Sequence, residues 1–275
     1  MRVADFHNDL LTSSEDKISA INSYKEQGLK VVTAYFRGGN SLAKAISDAN
    51  KYFSCKNENT YFALEDLGYL DGGKIEGLLR FFPVYATLTW NGENIYGYGC
   101  DFQDREIKPL GKNLIKKLNM YHVCVDSAHI SRKGFYDLVD HAETLICSHT
   151  AFCGVREHKR NITDEQIKLI IEKGGLIGLC LYNDFLSDKK VGEVGCIIKQ
   201  IDYFVNKFGY KHLCFGTDFY GANNFVGGIN NYEKFDKIVE ILEKMGYNRR
   251  VVCDIAYNNL NTFLEKVDAR QKFIR

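Results

Sequence analysis

The stretch Val3-Ala4-Asp5-Phe6-His7-Asn8-Asp9 sets two carboxylates and an imidazole among apolar and amide neighbours. In an extended strand, alternate residues share a face. Asp5, His7 and Asp9 are therefore expected to point one way, with Asp5 deeper and His7 and Asp9 at the strand's end. A polar strand end that caps a turn has the same composition, so the triplet alone leaves two readings open. The rest of the chain has to separate them.

Further along, short apolar runs fall at residues 3–7, 31–36, 60–65, 84–90, 123–129, 144–149, 176–181 and 213–219. Longer stretches of helical periodicity lie between them, for example 16–27, 41–53, 133–141, 164–173, 193–208 and 232–245. Thr163 and Gln166 have the spacing of a capping box opening one of these helices. Eight strands alternating with helices predict an α/β fold, a (β/α)8 TIM-type barrel formed by residues 1–275 as a single domain. A doubly wound open sheet competes with it. In a barrel, chemistry collects at the C-terminal ends of the strands. Here those ends read His7 and Asp9, then Glu65, Trp90, His129, His149 and Asp218, and only the second and seventh strands lack such a residue.

Composition narrows the function classes. The 275 residues carry a net charge of +1, which argues against a nucleic-acid partner. No apolar run approaches the roughly 18 residues of a membrane span, and the start lacks a signal-peptide core. A cytoplasmic protein is expected. The nine cysteines form no CxxC pair. Cys124, Cys147, Cys180 and Cys214 sit in strand-like runs and read as small buried hydrophobes.

His7, Asp9, Glu65, His129 and His149 together are three imidazoles and two carboxylates. That inventory suits two borderline divalent ions such as zinc, with Glu65 placed centrally enough to bridge them. A metal pair about 3.5–4 Å apart holds a hydroxide and polarises a carbonyl. Asp218, in the stretch FGTDFYG, is placed to move a proton to a leaving amine. Arg160, just before the capped helix, suits bidentate capture of a carboxylate. Each residue has a plainer reading. His129 suits a core histidine bonded to Asp126, His149 a turn-shaping residue, Glu65 a partner for a surface lysine and Asp218 an ordinary turn residue. Arg160 suits a solvated basic cluster with Lys159. Their shared position at successive strand ends favours the site. His122, His141, His158 and His212 lack that placement and read as structural or surface groups.

The stretches DFHNDLL, ALEDLGYL, YATLTWNGEN, VDSAHISRKGFYDL, ICSHTAF, HKRNITDEQIKLIIEKGGLIG and FGTDFYG run in order along nearly the whole chain. In that combination the chain resembles the membrane dipeptidase (renal dipeptidase) family of the amidohydrolase superfamily. The resemblance implies a barrel with a binuclear zinc site. His7 and Asp9 would bind one metal, His129 and His149 the other, and Glu65 would bridge them. It implies that Arg160 binds the substrate's carboxylate and that Asp218 shuttles the proton. It also implies dipeptide hydrolysis, often with a D-residue on the C-terminal side, in a homodimer. Another amidohydrolase activity on N-acyl amino acids or small amides, or a silent metal-binding scaffold, are the alternatives. Three positions lining the expected substrate pocket depart from the family pattern. Trp90 replaces an oxyanion-binding histidine, Phe185 a tyrosine and Tyr220 a second aspartate.

Overall fold

The computed structural model describes residues 1–70 and 75–274. Eight strands run β1 Ala4–Asn8, β2 Lys30–Phe36, β3 Thr60–Glu65, β4 Tyr85–Thr87, β5 Cys124–Asp126, β6 Leu145–Thr150, β7 Ile177–Leu179 and β8 Leu213–Phe215. Each pairs in parallel with the next, and β8 pairs with β1, closing the barrel in sequence order. Closure removes both sheet edges and buries each strand on two faces, which is why the strands read as continuous apolar runs and not as alternating ones.

Helices follow the strands on the outside. The periodic stretches become helices Lys17–Glu26, Leu42–Cys55, Arg132–His141, Asp164–Glu172 and Val194–Phe208. The capping box forms: the Gln166 backbone N–H donates to Thr163 Oγ1, and the Thr163 backbone N–H donates to Gln166 Oε1. The stretch expected as one helix over 232–245 divides into a 3-10 turn, Tyr232–Phe235, and a helix, Asp236–Lys244. No helix among the described residues is long and apolar enough to cross a membrane.

The barrel has two apolar layers. One lies between strands and outer helices, where Val31, Leu64 and Leu145 meet Ile21, Phe135 and Ile167. The other fills the lower barrel with Ala4, Phe6, Ala34, Tyr85, Ile146 and Cys214, packed on Leu260, Phe263 and Leu264 of the helix Asn259–Lys272. That helix is tied to the starts of the strands: Gln271 donates to the Pro83 carbonyl and Arg270 to Thr144 Oγ1. It closes the lower mouth and leaves the upper one for polar groups.

Two sequence expectations are corrected here. First, Asp5, His7 and Asp9 do not share one face. The β1–β2 register slips between Asp5 and Asn8, an irregularity of the kind that turns side chains off the pleat. Asp5 and Asn8 both reach the Tyr232 hydroxyl, while His7 meets Tyr85. Second, the expected strands 84–90, 123–129, 176–181 and 213–219 stop early. Beyond β5 and β8 the chain enters left-handed backbone at His129 (φ 70°) and Asp218 (φ 64°), which no strand accommodates. The site side chains at these positions therefore hang from loops just past the strands.

Phe263 stacks edge-on against Phe6, with ring centroids 5.6 Å apart. Phe263→Ala is expected to lower the unfolding free energy by about 3 kcal/mol, read as a fall in the urea midpoint. An unchanged midpoint would show that the C-terminal helix does not close the barrel.

Candidate metal centre

The upper mouth opens into a cavity of about 810 Å³ whose wall includes Asp9, Glu65, Trp90, His129, Arg160, Phe185, Asp218 and Tyr220. At its floor the ligand-type residues converge. Glu65, at the end of β3, turns its two oxygens to two different neighbourhoods. Oε2 lies 3.8 Å from His7 Nε2, which is itself 3.3 Å from Asp9 Oδ2. Oε1 lies 2.8 Å from His129 Nε2 and 3.7 Å from His149 Nε2. Three groups of side chains could hold an ion here: His7, Asp9 and Glu65; Glu65, His129 and His149; and His7, His149 and Asp218.

Outer hydrogen bonds set how each imidazole faces the centre. The Tyr85 hydroxyl donates to the Phe6 carbonyl, so it accepts from His7 Nδ1 at 2.8 Å and leaves the Nε2 lone pair inward. Asn91 Oδ1 accepts from His129 Nδ1 at 2.7 Å, and Ser148 Oγ lies 2.8 Å from His149 Nδ1. On neutral rings that carry their proton on Nδ1, the inward nitrogens are acceptors facing acceptors. His129 Nε2 sits 2.8 Å from both Glu65 Oε1 and His149 Nε2. Buried His7 Nε2 and Asp9 Oδ1 have no hydrogen-bond partner among the described residues. This donor set, dry and aimed inward, fits a divalent cation.

The electrostatics agree. Burial, then the carboxylates of Asp9 and Asp218, hold the Glu65 carboxyl well above its usual range. Asp218 is pushed up to about 7, by burial first and then by Asp9, against the pull of His7 and Arg160. Burial opposes charge on His7, yet Asp9, Glu65 and Asp218 overcome it and raise His7 to about 10. Burial, reinforced by nearby cations, lowers His129 and His149 well below the usual imidazole value. A proton on His7 thus relieves crowding that a bound cation would relieve with more charge.

The plainer readings of His129, Glu65 and Arg160 do not match these positions, and that of Asp218 matches in part. His129 does not bond Asp126, whose Oδ1 accepts from the backbone of Ala128 and Ser148. Glu65 has imidazole partners and, among the described residues, no lysine. Asp218 does shape a turn, accepting from Gly221 and Ala222 through its carbonyl, but its Oδ1 also lies 3.7 Å from His7 Nε2. Arg160 is only 6% exposed. It stacks over Phe185 at 5.2 Å, donates to the His149 carbonyl and forms no ion pair among the described residues. It is Lys159 that is solvated, paired with Asp101.

Several contributors were either not singled out from sequence or were read there in another role. Tyr85, Asn91 and Ser148 orient the three imidazoles, and the last two lie one residue from Trp90 and His149. Asp5 acts through the backbone: it accepts from the N–H groups of His7 and Thr217 and from the Thr217 hydroxyl, which locks β1 to the loop carrying Asp218. His158, read as structural or surface, lines the cavity and accepts from the Arg160 backbone N–H. Phe185 brings no hydroxyl, but Tyr182 brings one to the same wall. Gly221 has a strict requirement: a Cβ there would lie 2.0 Å from Asp9 Oδ2 and 2.7 Å from Asp218 Oδ1.

Comparison with known proteins adds to this geometry. A family model described as membrane dipeptidase (peptidase family M19) matches residues 74–274. An uncharacterized protein from the pqqA 5' region of Klebsiella pneumoniae is 26% identical over 87% of this chain and 93% of its own length. Dipeptidase tcpJ of Claviceps purpurea is 24% identical over 82% of this chain, which spans 55% of that protein. Among solved structures, a Rhodobacter sphaeroides metallopeptidase bound to a phosphinate mimic of L-Ala-D-Ala superposes with a TM-score of 0.79 at 18% identity. The match covers 97% of this chain and 99% of that one.

Trp90, the single tryptophan, stands 6.0 Å from the His129 ring. Adding zinc to metal-stripped protein is expected to change its emission; a spectrum blind to zinc would place the ion elsewhere. Gly221→Ala is expected to lower retained metal at least tenfold after dialysis, because Asp9 must move, and unchanged metal content would contradict the packing around Asp9.

Proposed function

The chain belongs to the membrane dipeptidase family, peptidase family M19, and from that premise we propose that it hydrolyses small dipeptides at a centre of two zinc ions. The observation that carries this is the division of Glu65, one oxygen toward His7 and Asp9 and the other toward His129 and His149. In this reading His7 and Asp9 would hold one ion and His129 and His149 the other, with Glu65 available to both. The metal pair, when bound, supplies an activated water and a Lewis acid for the carbonyl oxygen.

The chain's own residues supply the rest. Arg160, buried and without a carboxylate partner among the described residues, binds the substrate's C-terminal carboxylate. Its guanidinium is held by the Phe185 ring and the His149 carbonyl, so little freedom remains to be lost on binding. Asp218, beside the cluster and facing the cavity, takes a proton and returns it to the departing amine. Its left-handed backbone is the kind of strain that persists where surroundings enforce it. Tyr182, Phe185 and Tyr220 form the walls that receive the substrate. A C-terminal D-residue is included among substrates because the Rhodobacter protein takes a mimic of L-Ala-D-Ala.

A second reading, hydrolysis of N-acyl amino acids or other small amides, uses the same site. It is favoured by Trp90, whose indole stands where the family resemblance expects an imidazole for the oxyanion. A panel of L-L and L-D dipeptides, with release of free amino acid as readout, separates the two. The zinc-loaded protein is expected to turn over members of the panel. Asp218→Asn should lower kcat by roughly 10²–10⁴, and Arg160→Ala should act mainly through KM. Absence of turnover in a protein shown to carry its metal would move the assignment to other amides.

A further inference from the structure

Among the described residues, strands β2, β4 and β7 bring no side chain to the metal-type groups of the upper mouth, and the first two of them differ from the third. Those two lead to Phe36 and Trp90, both on the cavity wall. The Phe36 and Trp90 rings lie 5.3 Å apart, and Trp90 lies 6.0 Å from the His129 ring. Together they form an aromatic ledge that starts at the ligand cluster and runs outward. Trp90 is 44% exposed. Apolar surface left facing a cavity gains free energy when an apolar group covers it.

The ledge is fixed in place. A Cβ at Gly99 would lie 2.0 Å from the Trp90 carbonyl oxygen and 2.4 Å from that of Asn91. The Asp101 N–H donates to the Asn91 carbonyl at 2.9 Å. The segment 99–101 therefore presses directly on the backbone of Trp90, and a rigid aromatic anchor loses little entropy on binding.

Position in the ring gives the ledge a direction. The Arg160 guanidinium lies over Phe185, which follows β7, and β7 is three strands from both β2 and β4, so the guanidinium faces Phe36 and Trp90 across the cluster. A substrate with its carboxylate on Arg160 and its scissile bond over the cluster directs its acyl side toward β2 and β4.

We infer that Phe36 and Trp90 receive a bulky apolar side chain on the acyl side of the scissile bond, selecting dipeptides whose N-terminal residue is aromatic or large aliphatic. This rests on the dipeptidase reading above. Its test compares kcat/KM of the zinc-loaded protein for Phe-Ala, Leu-Ala and Ala-Ala. Calorimetric Kd values for phosphinate analogues of Phe-Ala and Ala-Ala are measured alongside. Phe-Ala is expected to exceed Ala-Ala by about ten- to a hundredfold, mainly through KM. Trp90→Ala and Phe36→Leu should each cut that ratio several-fold at unchanged zinc content. Equal values for the three dipeptides, or a preference that survives both substitutions, overturns the ledge. Absence of any dipeptide turnover overturns the dipeptidase reading instead. The analogues then decide the ledge: tighter binding of the Phe-Ala analogue, lost in both variants, supports it, and equal Kd values overturn it.

Discussion

The structure depends on one crowded contact, the Glu65 carboxylate set between His7 on one side and His129 and His149 on the other. The inward carboxylate oxygens are acceptors, and so are the inward nitrogens of imidazoles that are neutral and protonated on the far side. Such a cluster is unfavourable by itself in a dry barrel mouth, because buried acceptors repel and lose water without compensation. A divalent cation converts the same arrangement from repulsion into coordination.

Much of the surrounding architecture serves to hold that contact. Tyr85, Asn91 and Ser148 fix the imidazoles from outside the cluster. Asp5 ties the backbone of His7 to that of Thr217, so β1 and the loop after β8 move together. The Asp218 N–H then donates to the His7 carbonyl, and the Asp9 N–H donates to that of Phe219. The seam where the barrel closes thereby doubles as the mount for Asp9 and Asp218. Placing the C-terminal helix under the lower mouth completes the division of labour, with apolar packing below and polar convergence above.

The barrel was legible in the sequence because buried parallel strands must be apolar throughout, and eight such runs alternate with helices. The ligand-type residues were legible because a barrel presents strand ends to one mouth. The face on which Asp5 points was not legible. The alternation rule assumes an unbroken pleat, and the register slip in β1 breaks it. Strand lengths were overread for a related reason: His129 and Asp218 adopt positive φ that their residue types do not announce. Tyr85, Asn91 and Ser148 were passed over because a hydrogen-bonding side chain near a histidine is common, and only three dimensions show which ring nitrogen it meets. Gly221 reads as a turn glycine until Asp9 is seen against it.

Anomalous diffraction at the zinc edge on zinc-loaded crystals would show whether Glu65 joins two ions. Two peaks about 3.5–4 Å apart are expected, one beside His7 and Asp9 and one beside His129 and His149, with a Glu65 oxygen on each. A single peak, or two peaks with Glu65 bound to neither, would contradict the bridged pair.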